Sequence, residues 1–199
     1  MKKIKKFRVQ PRPSYTFRGL KALVADAQDT PELEKAIETE IRNAEELYST
    51  AALYETCPRD KSPEWARSLL EATNENGAQP VSLTFYAATI GNGLEEELGN
   101  CLSRGEGLRS QILTAVGYEA ADQSAHFVGR LVTEEAKREG CDTSNQMFSV
   151  PDPMARDILN FLDGSKIQIQ LDGQDHLLPR FSRIGCLFWW PPTKRRASK

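Results

Sequence analysis

The chain of 199 residues is long enough for one domain with a sizeable core and too short for two ordinary ones. At 39% hydrophobic and 27% charged its composition is that of a globular protein, and no apolar run approaches the ~20 residues of a membrane-spanning helix. The net charge of −2 is unevenly placed: residues 1–21 carry eight Lys/Arg and no acid, residues 180–199 carry six and no acid, and the segment between holds all 28 acidic side chains.

Basic ends suit an anionic partner such as a nucleic acid or an acidic protein, but they also keep edge strands from pairing with other chains, and this second reading fits better. The start "MKKIKKFRVQPRP" lacks the apolar stretch of an export signal. Cys57, Cys101, Cys141 and Cys186 show no CxxC spacing, and His126 and His176 lie far apart, so no metal site is read. Scattered thiols suit a reducing cytoplasm.

In chain order, residues 6–10 suggest a short strand. "PELEKAIETEIRNAEELY" (31–48) predicts the clearest helix: Thr30 can cap it, Pro31 fits its first position, and Glu32 and Glu34 suit its positive end. "TAALYETCP" reads as a strand and "SPEWARSLLEATNENG" as a shorter helix ended by Gly77. "PVSLTFYAATIG" is β-rich, with Val81, Leu83, Phe85 and Ala87 on one face. "NGLEEELGNCLSRG" opens a helix. Residues 107–138 form a long one, with Leu108 among its inward residues and Gly117 able to bend or divide it. His126 sits between Ala125 and Phe127 and reads as a core histidine.

"DPMARDILNFLDG" is a helix closed by Gly164. "KIQIQLD" alternates, so 166–171 reads as a half-buried strand, pairing antiparallel with a last strand at 183–190. The aromatic end "FWW" suits either core filling or stacking on a planar ligand. The expected architecture is α+β: a mostly antiparallel sheet with long helices packed on it, in one domain spanning 1–199 with a core from about 6 to 190. The tail 191–199 is expected to be disordered.

No Walker loop, GxGxxG, GxSxG or HExxH occurs. "GNG" at 91–93 could offer backbone N–H groups to an anion, yet Glu95, Glu96 and Glu97 follow and would repel a phosphate, so a plain strand-to-helix turn is the better local reading.

Three segments in order resemble a known family. "TFYAATIGNGLEEE" resembles the "aaTiGxxlExE" strand-turn-helix of proteins related to the activation domain of cobalamin-dependent methionine synthase. "AVGYEAADQSAHFVGRLVTEEAKREG" looks like the long Ala-rich helix that follows it there. "FLDGSKIQIQLDGQDHLLPRFSRIG" matches the pattern "LLNxxxxIgixLtxsxxMxPxxSvxG", with Leu171, Pro179, Ser182 and Gly185 at the family spacing. The helix "ELEKAIETEIRNAEELYSTAALYE" matches the family's early region, so the resemblance covers most of residues 30–188.

The resemblance implies a methionine synthase activation domain-like fold and a stand-alone protein that docks a corrinoid (cobalamin) protein. It would support that partner's reductive reactivation or methyl transfer with S-adenosylmethionine. It also implies a ligand cleft near Thr89, Gly91, Asp122, Phe148, Pro179, Ser182 and Gly185. Asp122 would take the ligand's amino group, and Pro179, Ser182 and Gly185 would shape the turn beside it. Read for structure alone, Asp122 is an exposed helix carboxylate, Pro179 and Gly185 punctuate a hairpin, and Ser182 caps its own backbone.

The family's Arg-x-x-x-Gly-Tyr element would fall on "CDTSNQMFSVPDP", which holds no Arg and no Gly-Tyr; Phe148 is the nearest aromatic. Losing a charge-assisted pair of roughly 1.5–3 kcal/mol corresponds to about one to two decades of affinity. A second reading is therefore a non-enzymatic corrinoid-protein binder that no longer holds S-adenosylmethionine.

Overall fold

The computed structural model of the chain describes residues 1–25, 27–73, 78–144 and 152–192. In chain order the elements are β1 (Lys2–Lys5), α1 (Pro13–Leu23), α2 (Pro31–Ala44), β2 (Ala51–Pro58), α3 (Glu64–Ala72), β3 (Ser82–Thr89) and α4 (Gly93–Ser103). They continue with α5 (Gly107–Arg138), β4 (Asp142–Thr143), α6 (Asp152–Leu162), β5 (Gln170–Leu171), β6 (Leu177–Leu178) and β7 (Ser182–Trp190). A five-stranded sheet in the order β1-β2-β3-β7-β4 pairs antiparallel throughout, and β5 and β6 form a separate two-stranded ribbon. The expected α+β architecture is the one observed.

β3 lies at the centre of the sheet because both its faces are apolar. Leu83, Phe85 and Ala87 face α3 and α6, packing with Leu70, Ile158 and Leu162. Tyr86 and Ala88 face α5, against Ala125, Val128 and Val132. β7 divides its side chains in the same way: Phe188 and Trp190 join the first cluster and Trp189 the second. "FWW" is thus core on both faces, and the Trp189 indole N–H is satisfied by Thr84 Oγ1 at 2.8 Å. Each such fully buried large side chain contributes roughly 1.5–3 kcal/mol relative to exposure.

α1 (Pro13–Leu23) is not predicted from the sequence, while the other helices follow it closely. Thr30 Oγ1 accepts a hydrogen bond from Leu33 N at 3.2 Å, capping α2, which ends at Ala44 and continues as a 3-10 turn over Glu45–Leu47. α5 runs unbroken through 32 residues. Gly117 does not divide it; a Cβ there would lie 2.5 Å from Phe181 Cε1, so glycine makes room for a ring. α1, α2 and α4 pack around the first half of α5 in a third cluster that includes Leu20, Ile37, Leu94 and Leu113.

Several expectations are corrected. The first strand is residues 2–5 rather than 6–10, because Lys6 takes a left-handed φ of 59° and ends it. "KIQIQLD" is not a strand along its length. Asp163 and Gln168 are left-handed and bracket a 3-10 turn, Gly164–Ile167, leaving only Gln170–Leu171 extended. Ile167 and Ile169 are buried as the alternation suggested, but by a tight turn. β5 pairs with β6 instead of β7, whose partners are β3, over the register 82–89 against 182–189, and β4. Val81 and Leu108 are exposed. Gly77, Phe148 and residues 193–199 lie outside the described residues. Among the described residues no helix is long and apolar enough to cross a membrane.

Candidate functional site

The "IGNG" corner is shaped by a close chain crossing. Gly91 has φ +82°, and a Cβ on it would meet Ser49 Cβ at 2.9 Å; on Gly93 it would meet Leu47 O at 2.5 Å. The segment entering β2 is pinned there by Ser49 N donating to Ile90 O at 2.8 Å. Both glycines admit a neighbouring backbone.

Thr89 and Ser182 are register partners at the ends of β3 and β7. Both are buried. The Ser182 hydroxyl donates to Thr89 Oγ1 at 2.9 Å, and Gly91 N donates to the same oxygen at 3.0 Å. Ser182 therefore bonds across the sheet and does not cap its own backbone. Arg180 N donates to Glu95 Oε1, so the chain entering β7 is tied to the start of α4 by the carboxylate that was expected to repel an anion there. Pro179 lines a shallow cleft beside Asn92 and Glu95.

Asp122 joins this corner through Arg183. Arg183 Nε donates to Asp122 Oδ1 at 2.6 Å and its Nη1 to Ser182 O at 3.0 Å. The Asp122 side chain is 49% exposed and that of Arg183 29%, so both charges face solvent at a shared point. The guanidinium also lies 5.5 Å from the Tyr118 ring centre, while Arg180 reaches the Tyr118 hydroxyl at 3.0 Å. Gly185 lies further along β7 opposite Tyr86. Burial pushes the Tyr86 phenol well above its usual range, so it remains a neutral hydroxyl.

The structure thus brings Thr89, Gly91, Pro179, Ser182 and Asp122 to one corner and sets Gly185 deeper in the sheet. Arg183, Arg180 and Tyr118 belong to the same corner and went unread in the sequence. The i, i+4 spacing of Tyr118 and Asp122 on one helix face, beside two arginines flanking Ser182, was the available signal.

His126 is exposed, which corrects its assignment to the core. The buried stripe of α5 runs through Ala121, Ser124, Ala125, Val128 and Val132, and His126 falls outside it. It lines a groove of about 470 Å³ with Gln123, Arg130 and Lys137 of α5 and with Arg12. Arg12 Nε donates to Glu119 Oε1 at 2.8 Å, and that hydrogen bond holds its guanidinium above the ordinary range.

In comparisons with known proteins no family model matches the chain, and no curated protein matches its sequence. A solved structure does: the crystal structure of the MetH reactivation domain bound to AdoHcy, with a TM-score of 0.63 at 11% sequence identity. The match covers 98% of this chain and 80% of that one. At that identity the likeness speaks for the fold: the chain has a methionine synthase reactivation domain-like fold, α-helices on an antiparallel sheet.

Proposed function

We propose that this domain docks a corrinoid-carrying protein and presents S-adenosylmethionine to it, supporting reductive reactivation or methyl transfer. The observation that carries the reading is the likeness, over 98% of the chain, to a reactivation domain caught with AdoHcy. Thr89, Gly91, Asp122, Pro179 and Ser182, five of the seven residues the resemblance singled out, lie at one corner, which supports the same reading.

The ligand end to be held is an amino acid zwitterion. Asp122 and Arg183 present the two charges that complement it: the carboxylate for the ammonium, the guanidinium for the carboxylate. The family pattern quoted above has an apolar residue at the position of Arg183, and the chain lacks the Arg-x-x-x-Gly-Tyr arginine. In this reading Arg183 serves in place of that missing group. Bond making belongs to the sulfonium donor and the partner's cobalt; this chain supplies binding and orientation.

Calorimetric titration with S-adenosylmethionine tests the reading. Saturable heat is expected at millimolar ligand, with Arg183→Gln weakening it by about one to two decades. Decarboxylated S-adenosylmethionine should be insensitive to that substitution. The missing motif favours the second reading, a corrinoid-protein binder without the ligand. Pull-down of a corrinoid protein with no heat from S-adenosylmethionine would select it, and failure of both would refute docking as well.

A further inference from the structure

We infer that the groove along α5 is a binding site for a small organic anion, a carboxylate or a phosphate ester. Its charge is taken by Arg130 and Lys137, and its body lies along the lining at Gly129 and Leu187. This inference goes beyond the proposed function and does not rest on it, since it needs only the groove and its lining. The volume of about 470 Å³ falls within the several hundred Å³ usual for small-molecule sites. Its lining joins buried Gly129 and Leu187 to the cations Arg12, Arg130 and Lys137.

The charges are placed for an external partner. Arg12 already has a carboxylate on α5. Among the described residues neither Arg130 nor Lys137 has an ion pair within 4 Å; the Arg130 guanidinium lies 6.0 Å from the Phe127 ring centre, and both side chains are exposed. The two are seven residues apart on one face of α5, about 10 Å along its axis, so their long side chains can converge on one anion or grip both ends of a dianion. Glu134 shares the lining and offsets one charge, leaving Arg12, Arg130 and Lys137 against it and the Arg12-bound Glu119.

The wall is held in place. Thr133 Oγ1 and Thr143 Oγ1 are 2.9 Å apart, and Ser144 N donates to Phe188 O at 2.9 Å, fixing β4 and its exit against the helix and β7. A groove with such support is formed before a ligand arrives, which reduces the cost of binding.

Three aromatic probes test this, phenyl phosphate, benzoate and neutral benzamide, the last two equal in size, each titrated at low salt and followed by backbone amide shifts. The two anions should saturate and move Gly129, Arg130 and Ser144, and whichever binds tighter assigns the phosphate or carboxylate class. Benzamide should leave those amides unmoved. In Arg130→Gln/Lys137→Gln, affinity should fall at least about tenfold with the unfolding midpoint unchanged, since both side chains are exposed. Equal binding of benzamide, undiminished binding by the variant, or shifts scattered over all basic surfaces would each overturn the inference.

Discussion

At the residue scale, glycines carry the most specific packing information. Gly117 was read from sequence as a weak point of a long helix, since glycine costs a helix interior conformational entropy. The structure gives it another purpose: the Phe181 ring occupies the volume a side chain would need, with Cε1 2.5 Å from an ideal Cβ. Gly117→Ala therefore has opposed effects. Helix propensity gains up to about 1 kcal/mol, while overpacking costs about 1–3 kcal/mol and displaces the chain entering β7. The expected outcome is a lower urea midpoint, and a midpoint that stays or rises would show that Phe181 relocates freely. Single-residue periodicity could not have revealed this contact, because its partner lies at the far end of the sequence.

Ser182 and His126 show the same limit. The spacing that singled out Ser182 was sound, but its hydroxyl meets Thr89 of another strand. His126 has apolar neighbours in sequence, yet the rotation of 100° per residue carries it off the buried stripe. Substituting Thr89→Val should cost about 1–3 kcal/mol, because it orphans the Ser182 hydroxyl and the Gly91 N–H while preserving shape. Denaturant unfolding measures it; a loss within a few tenths of a kcal/mol would mean that water replaces both bonds.

At the scale of elements, α2, β2, β3, α4, α5 and β7 were legible because each carries its full period and its own stop signal. The segment 164–178 was not. Its strict alternation has the burial of a strand at Ile167 and Ile169 and the backbone of a tight turn, since two left-handed residues, Asp163 and Gln168, interrupt it. The β5–β6 ribbon is closed instead by Asp172, whose carboxylate accepts from His176 N at 2.9 Å and Gln174 N at 2.7 Å. Those backbone bonds, first His176 and then Gln174, hold its carboxyl below the ordinary range. A folded pKa below the unfolded one stabilises the turn above the unfolded value, and that support is lost as pH falls through the folded value. Amide shifts of Gln174 and His176 should therefore titrate together with a midpoint below that of a free aspartate. A midpoint at or above it would mean that the turn stands without the carboxylate.

At the scale of the whole molecule, α5 and β7 connect the corner, the groove and the core. Asp122–Arg183 joins them at one end and Thr133–Thr143 ties the helix to the sheet's far edge. The candidate corner was partly legible as ordered landmarks, and the groove was not, because Arg12 approaches α5 from more than a hundred residues away. β3 is walled on both faces by helices and on both edges by strands. Thr89 bonds Ser182, 93 positions further along the chain. During synthesis the central strand must wait, one edge bare and apolar on both sides, until that span has left the ribosome. Contacts so distant in sequence slow folding and leave partly made chains prone to aggregation. A nascent chain stalled before residue 182 is thus a natural client for a holding chaperone.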